Sequence, residues 1–260
     1  MESGGRVAFT EITDSIFQLA NATSELAASL VKDLVQNDPR FTLAESHLTI
    51  KPNDFDSQPL RDLEFVVIDV EAIAGKSRPT RIIELGACRV TGGRIVDQFE
   101  TLVNPDLPLP PFISTLTGIT EEMLATAPPF SGIAEQWLDF AGDAVLAAHN
   151  SNFDVTLLNQ EIARVFPGCR MRNSEICTVQ LARRVLPNLE KHHLDALAGH
   201  FGFRVTGRHR AAGDARATAR VLLHLLDELE TRGIKTLGAT RKFRAREYAR
   251  QHELQLAFDS

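Results

Sequence analysis

Cysteine, net positive charge and long apolar runs are all scarce in this 260-residue chain. Cys88, Cys169 and Cys177 are an odd number and fall at no metal-ligand spacing, which excludes a thiolate zinc site and a disulfide framework. No apolar run approaches the roughly 18 residues that a membrane-spanning helix needs, so no membrane partner is expected. The opening "MESGGRVAFTEITD" carries early acids and no apolar core, so no secretory signal is expected; reduced thiols and a cytoplasmic location are. There is no Gly-rich phosphate loop, no serine elbow and no internal repeat. A net charge of −6 argues against a generic nucleic-acid coat.

The charge is unevenly spread. From Lys235 to Arg250, six basic residues (Lys235, Arg241, Lys242, Arg244, Arg246, Arg250) face one acid, Glu247. Such a stretch suits a phosphate backbone, or equally a solvated tail or a tag for a partner protein.

The chain divides by pattern into four parts. Residues 1–55 read as a helix-plus-hairpin module. Apolar residues recur at three- and four-residue intervals over about 10–37, with Ser24 as an N-cap that splits them into two helices. "FTLAESHLTI" then alternates around a polar turn, as a hairpin does. The result is a miniature winged-helix-like module that either touches DNA or docks on a partner. Residues 56–62 read as a polar linker, 63–235 as the main domain and 236–260 as a basic tail.

Within the main domain, "FVVIDV" is a β-rich run buried on both faces, followed by "RIIELGACRV" and "RIVDQFETLV" joined by the turn "TGG". Short helices follow, one capped by Thr120 and one by Ser131. "AVLAAH" and a brief strand around Ile176 then alternate with helices, and the last long helix runs from about Asp214 to Arg232. Three antiparallel strands and then alternating strands and helices predict an α/β fold: a mixed five-stranded sheet flanked by helices, in the order of a ribonuclease H-like fold.

Four carboxylates and a histidine stand at the edges of these apolar segments. Asp69 and Glu71 are two apart at a strand end, so strand periodicity sends both to the same side. Like charges that close stay ionised only with a cation between them. Asp214 shares a helical stripe with Thr218, Val221, Leu222 and Leu225, which turns it towards the sheet. Asp154 lies at a strand-to-helix junction, and His209 sits on a loop five residues before Asp214. Carboxylate-rich oxygen sites prefer Mg²⁺ or Mn²⁺, and two such ions can activate water and neutralise a departing oxygen. A histidine is suited to taking the proton from that water.

These segments resemble the three motifs of the DEDDh 3′–5′ exonucleases: "VVIDVEAIAG…RIIELGA", "AHNSNFDVTLLNQE" and "HRAAGDARATARVL". Within that family they are most similar to the proofreading epsilon subunits of bacterial DNA polymerase III. The spacers "LVNPDLPLPPFISTLTGITEEMLATAPPF" and "CTVQLARRVLP…HHLDALAGHFGF" resemble that group too, so the likeness covers roughly 63–232. It implies removal of nucleotides from single-stranded or frayed DNA 3′ ends in replication or repair, with Asp69, Glu71, Asp154 and Asp214 binding two Mg²⁺ or Mn²⁺ ions. His209 would be the general base. Ala72 and Ile73 would line the terminal nucleotide, and Leu116, Thr117 and Phe153 would pack on its base and sugar.

The chain departs from the family in two ways. Ala72-Ile73-Ala74-Gly75 stands where members commonly carry threonines, removing a hydroxyl that contacts the 3′ end. The first 60 residues have no counterpart in the epsilon subunit, and its polymerase-holding segment is not recognisable near the C-terminus. A polymerase, helicase or repair partner specific to this chain is therefore expected. The alternatives are an RNA 3′-end trimming enzyme similar to ribonuclease T and a non-catalytic accessory subunit.

Overall fold

The computed structural model describes residues 6–36, 41–50, 55–75, 78–245 and 247–248. They fall into two compact units, Met1–Asp54 and Phe55–Ser260.

The first unit holds β1 (Arg6–Ala8), α1 (Phe9–Phe17), α2 (Ser24–Val35), β2 (Phe41–Leu43) and β3 (His47–Ile50), the strands forming an antiparallel sheet in the order β1-β3-β2. The two helices and the hairpin stand as read from the sequence; β1, three residues long, is an addition. Thr23, not Ser24, caps α2, its hydroxyl accepting from the Leu26 amide. Phe9, Ile12, Ala27 and Val31 form the small core, one apolar stripe from each helix.

In the second unit the sheet order is β6-β5-β4-β7-β8. β4 (Phe65–Gly75), β5 (Arg78–Thr91) and β6 (Arg94–Leu102) form an antiparallel meander, turned at Gly92 and Gly93, both at positive φ. β7 (Val145–Ala148) and β8 (Glu175–Cys177) extend it in parallel from β4. Val66, Val67, Ile68, Leu146 and Ala147 are all fully buried, because helices cover both faces. One face packs α7 (Thr178–Val185), α8 (Leu194–His200) and α9 (Ala211–Thr231) around Val67, Cys88 and Leu222. The other packs α5 (Ala134–Ala141) and α6 (Ser151–Val165) around Trp137, Leu146 and Leu158. α3 (Pro111–Thr117) and α4 (Glu121–Ala125) enclose a third cluster with Ile73, Ile83 and Ile119. Thr120 caps α4 as expected. Ser131 does not cap α5: a 3₁₀ turn over Phe130–Gly132 intervenes, and the capping position falls to Ile133.

The structure corrects two boundaries. Residues 56–62 are not a free linker, since Leu60 is buried in the main core and its amide donates to the Lys235 carbonyl. The start of the basic tail is likewise folded: α10 (Leu237–Lys242) and Phe243 bury Leu237 and the Phe243 ring in the same core. The apolar residues spaced through these polar stretches decide their placement, and burying them outweighs the surrounding charge. Arg241, counted as free basic charge, pairs with Asp56. Arg246 and Arg250 lie outside the described residues.

Candidate active site

The site grows out of the end of β4. In the β4–β5 ladder Asp69 faces Gly86 and Glu71 faces Glu84, so these four residues share one face of the sheet. α9 lies on that face, and Gly86 permits it: a Cβ there would stand 2.3 Å from the Ala211 carbonyl carbon and the Ala212 amide. Pressed this closely, the first turn of α9 brings Asp214 to the pair. Carboxylate oxygens of Asp69, Glu71 and Asp214 lie within 4.8 Å of one another. A register shift directly after Glu71 re-aims the strand beyond the cluster.

Asp154 enters from the other edge. β7 stops pairing with β4 at Ala148, opposite Ile68, which leaves the next β7-facing donor of β4, the Val70 amide, without a strand partner. Asp154, in the first turn of α6, accepts that amide at 3.1 Å and is itself buried. It is thereby fixed beside the peptide that links Asp69 to Val70, one residue before Glu71.

The loop before α9 supplies the cations. Arg208 contacts Asp214 Oδ2 at 2.5 Å and Asp195 at 3.1 Å. The backbone amide of His209 donates to Asp214 Oδ2 at 3.1 Å, with His209 at φ 61°. The His209 ring is half-buried and makes no hydrogen bond among the described residues. Gly213 is pressed against the carbonyl of Gly207, where a Cβ would stand at 2.2 Å, so the loop closes on itself.

The electrostatics are those of an anion site that Arg208 compensates only in part. Burial first, then Asp154, Asp214 and Glu71, pushes the Asp69 carboxyl well above the usual range. Burial and the charge of Asp214 raise Glu71 to about 7. Burial raises Asp154 to about 7 against the opposing Val70 hydrogen bond. Asp214 is raised by burial although Arg208 opposes it. Asp214 Oδ1 is buried with no hydrogen-bond partner. An orphaned carboxylate oxygen among carboxyls that resist ionisation fits a bound hard cation, which relieves all of these penalties together.

Residues 66–222 match the sequence profile of the exonuclease family. The chain belongs to the exonuclease family. This exonuclease chain is 39% identical over 170 residues to the DNA polymerase III subunit epsilon of Aquifex aeolicus, covering 65% of the chain and 84% of that protein. It is 39% identical over 175 residues to the PolC-type DNA polymerase III of Caldanaerobacter subterraneus, covering 67% of the chain but only 12% of that much longer protein. Among solved structures, exonuclease X in complex with 5′-overhanging duplex DNA is 29% identical, with a TM-score of 0.52, over 68% of this chain and 99% of that one. The fold is the ribonuclease H-like fold of this family, whose members depend on divalent metal ions.

Of the five residues implied to carry catalysis, Asp69, Glu71 and Asp214 come together within 4.8 Å, Asp154 is held at the Val70 amide, and His209 is tied to Asp214 through its backbone amide. The implied substrate residues divide. Leu116 and Phe153 are exposed, at 39% and 45%, and Ala72 is half-buried. Ile73 is instead buried in the third cluster, so its side chain serves the core rather than a ligand. The Thr117 hydroxyl is buried and used twice, donating to the Ile113 carbonyl and accepting from the Ile119 amide. Arg208 and Glu84 escaped the sequence reading. For Arg208 the signal was available: it directly precedes His209 in "GRHR".

Proposed function

We propose that this chain is a 3′–5′ exonuclease that removes nucleotides from DNA 3′ ends, using two Mg²⁺ or Mn²⁺ ions held by Asp69, Glu71, Asp154 and Asp214. The convergence of three carboxylates within 4.8 Å, built from strand and helix residues 145 positions apart, carries the reading. When bound, such ions supply Lewis-acid stabilisation and a water of lowered pKa. The chain's own residues do the rest. Asp154, locked to Val70, and Asp214, locked to the His209 amide, fix the carboxylates on either side of β4. His209 accepts the proton of the attacking water. Leu116 and Phe153 present exposed apolar surface on which a terminal base stacks, and Ala72 contacts the end through its backbone.

The first unit serves a protein partner of replication or repair rather than DNA. Its 54 residues carry eight acidic and four basic side chains, which opposes phosphate binding. Ile16, Leu26 and Leu34 are 61%, 46% and 52% exposed on it.

Digestion of 5′-labelled oligonucleotides by the purified chain tests the function. With Mn²⁺ or Mg²⁺, single-stranded and mismatched DNA should shorten stepwise from the 3′ end, matched duplex more slowly, and Asp69→Ala should abolish the ladder. Faster loss of RNA would reassign the substrate, and no metal-dependent cleavage would sink the reading.

A further inference from the structure

Glu84 is a fully buried carboxylate that the metal cluster leaves unused. It lies on β5 directly opposite Glu71 and on the same face, one strand spacing from the metal-binding acids. It does not join them, because another group occupies it. Arg210 Nε and an Nη reach Glu84 Oε1 at 2.9 and 2.6 Å, and the Ala211 amide donates to Oε2 at 2.9 Å. One carboxylate thus holds consecutive residues, one by its side chain and the other by its backbone.

Those two residues immediately follow His209. A non-glycine residue at φ 61° persists only where its surroundings over-determine it. Here two sets of bonds do so: the His209 amide is held by Asp214, and residues 210–211 are held by Glu84. Packing alone would seat α9 on Gly86 as well as an ion pair does. What packing does not provide is directional bonding on both sides of a single residue. We propose that Glu84 and Arg210 are positioning residues that fix the His209 loop relative to the carboxylate cluster. The inference rests on the role of His209 proposed above.

Misplacement of a reacting group by about 1 Å can cost roughly a hundredfold in rate. Glu84→Gln and Arg210→Lys in the full chain test the proposal. The measurements are kcat and KM on single-stranded DNA with Mn²⁺, the Mn²⁺ affinity by calorimetry, and the His209 ring resonance in histidine-labelled protein, assigned with His209→Gln. Both variants should lose about 10- to 100-fold in kcat while KM and Mn²⁺ affinity stay within about threefold. The His209 resonance should shift or broaden in the metal-free state. If Glu84→Gln fails to fold, the half-exposed site of Arg210→Lys carries the test alone. A His209 resonance unchanged in a folded variant overturns the proposal whatever the rate does. So does a parallel loss of kcat, substrate binding and metal binding, the pattern of a purely structural pair. An inactive wild type would refute the exonuclease reading, while the His209 resonance would still decide whether Glu84 and Arg210 position the loop.

Discussion

Asp154 and Val70 are 84 positions apart, yet the carboxylate of one closes the hydrogen-bonding ladder of the other. Where β7 ends, a side chain of α6 takes over its role as acceptor. This relationship separates the structural duty of Asp154 from its charge. Asparagine at 154 keeps an acceptor oxygen for the Val70 amide and removes the charge whose burial raises the carboxyl to about 7. Asp154→Asn should therefore gain on the order of 2 kcal/mol, or about 5 °C in Tm, without metal at pH 8. It should lose about a thousandfold in kcat. Thermal melts paired with nuclease assays check both halves, and a drop in Tm would contradict the assignment.

The pH dependence of stability follows from Glu71 and Asp154, both raised to about 7. A carboxyl with a raised folded pKa binds its proton more tightly when folded than when unfolded. Its stabilising contribution is present below the unfolded value near 4 and is lost as pH rises through about 7. The metal-free Tm should fall between pH 5 and pH 8, and Mn²⁺ should restore more of it at pH 8 than at pH 5. Calorimetry across that window, with and without Mn²⁺, is the measurement. A metal-free Tm that rises through the window would rule out these two raised carboxyls as the controlling groups.

Gly86 is predicted to tolerate no side chain. Gly86→Ala forces the first turn of α9 off the sheet, because the neighbouring atoms at 2.3 Å are backbone and cannot turn aside. Overpacking of this kind costs about 1–3 kcal/mol. Activity should fall further than stability, since Asp214 and His209 both move with that turn. Urea denaturation and the nuclease rate together read this out.

Leu116 and Phe153 are expected to act on binding rather than on the chemical step. Stacking contributes about 1–3 kcal/mol per base, so Phe153→Ala should raise KM roughly 5- to 150-fold with kcat nearly unchanged. Thr117→Val should instead reduce stability, because it strands the Ile119 amide that the hydroxyl now satisfies.

How legible the site was depends on how local each cause is. Asp69 and Glu71 announced themselves by strand periodicity, and Asp214 by the buried stripe it shares with Thr218, Val221 and Leu222. The order of strands and helices carried the sheet topology. Glu84 was hidden because its meaning lies in a register partner on β4 and a helix start 126 residues later. Gly86 gave no turn signal, since it sits mid-strand and answers to a helix far along the chain. Ile73 and Thr117 were assigned to the nucleotide by resemblance alone, and their burial is a tertiary fact. The polar stretches at 56–62 and 236–245 looked unstructured because single apolar residues, Leu60, Leu237 and Phe243, decide their placement.

Leu60 donates to Lys235, and Pro59 bridges to Thr236. The first segment of the exonuclease domain and the segment that opens α10 therefore run side by side, with Arg241 paired to Asp56 at the same junction. A domain whose early and late segments are clamped together can carry further sequence beside that clamp with little strain on its interior. Evolution can vary what is attached there while Asp69 and its neighbours, secured by the sheet and α9, keep their spacing.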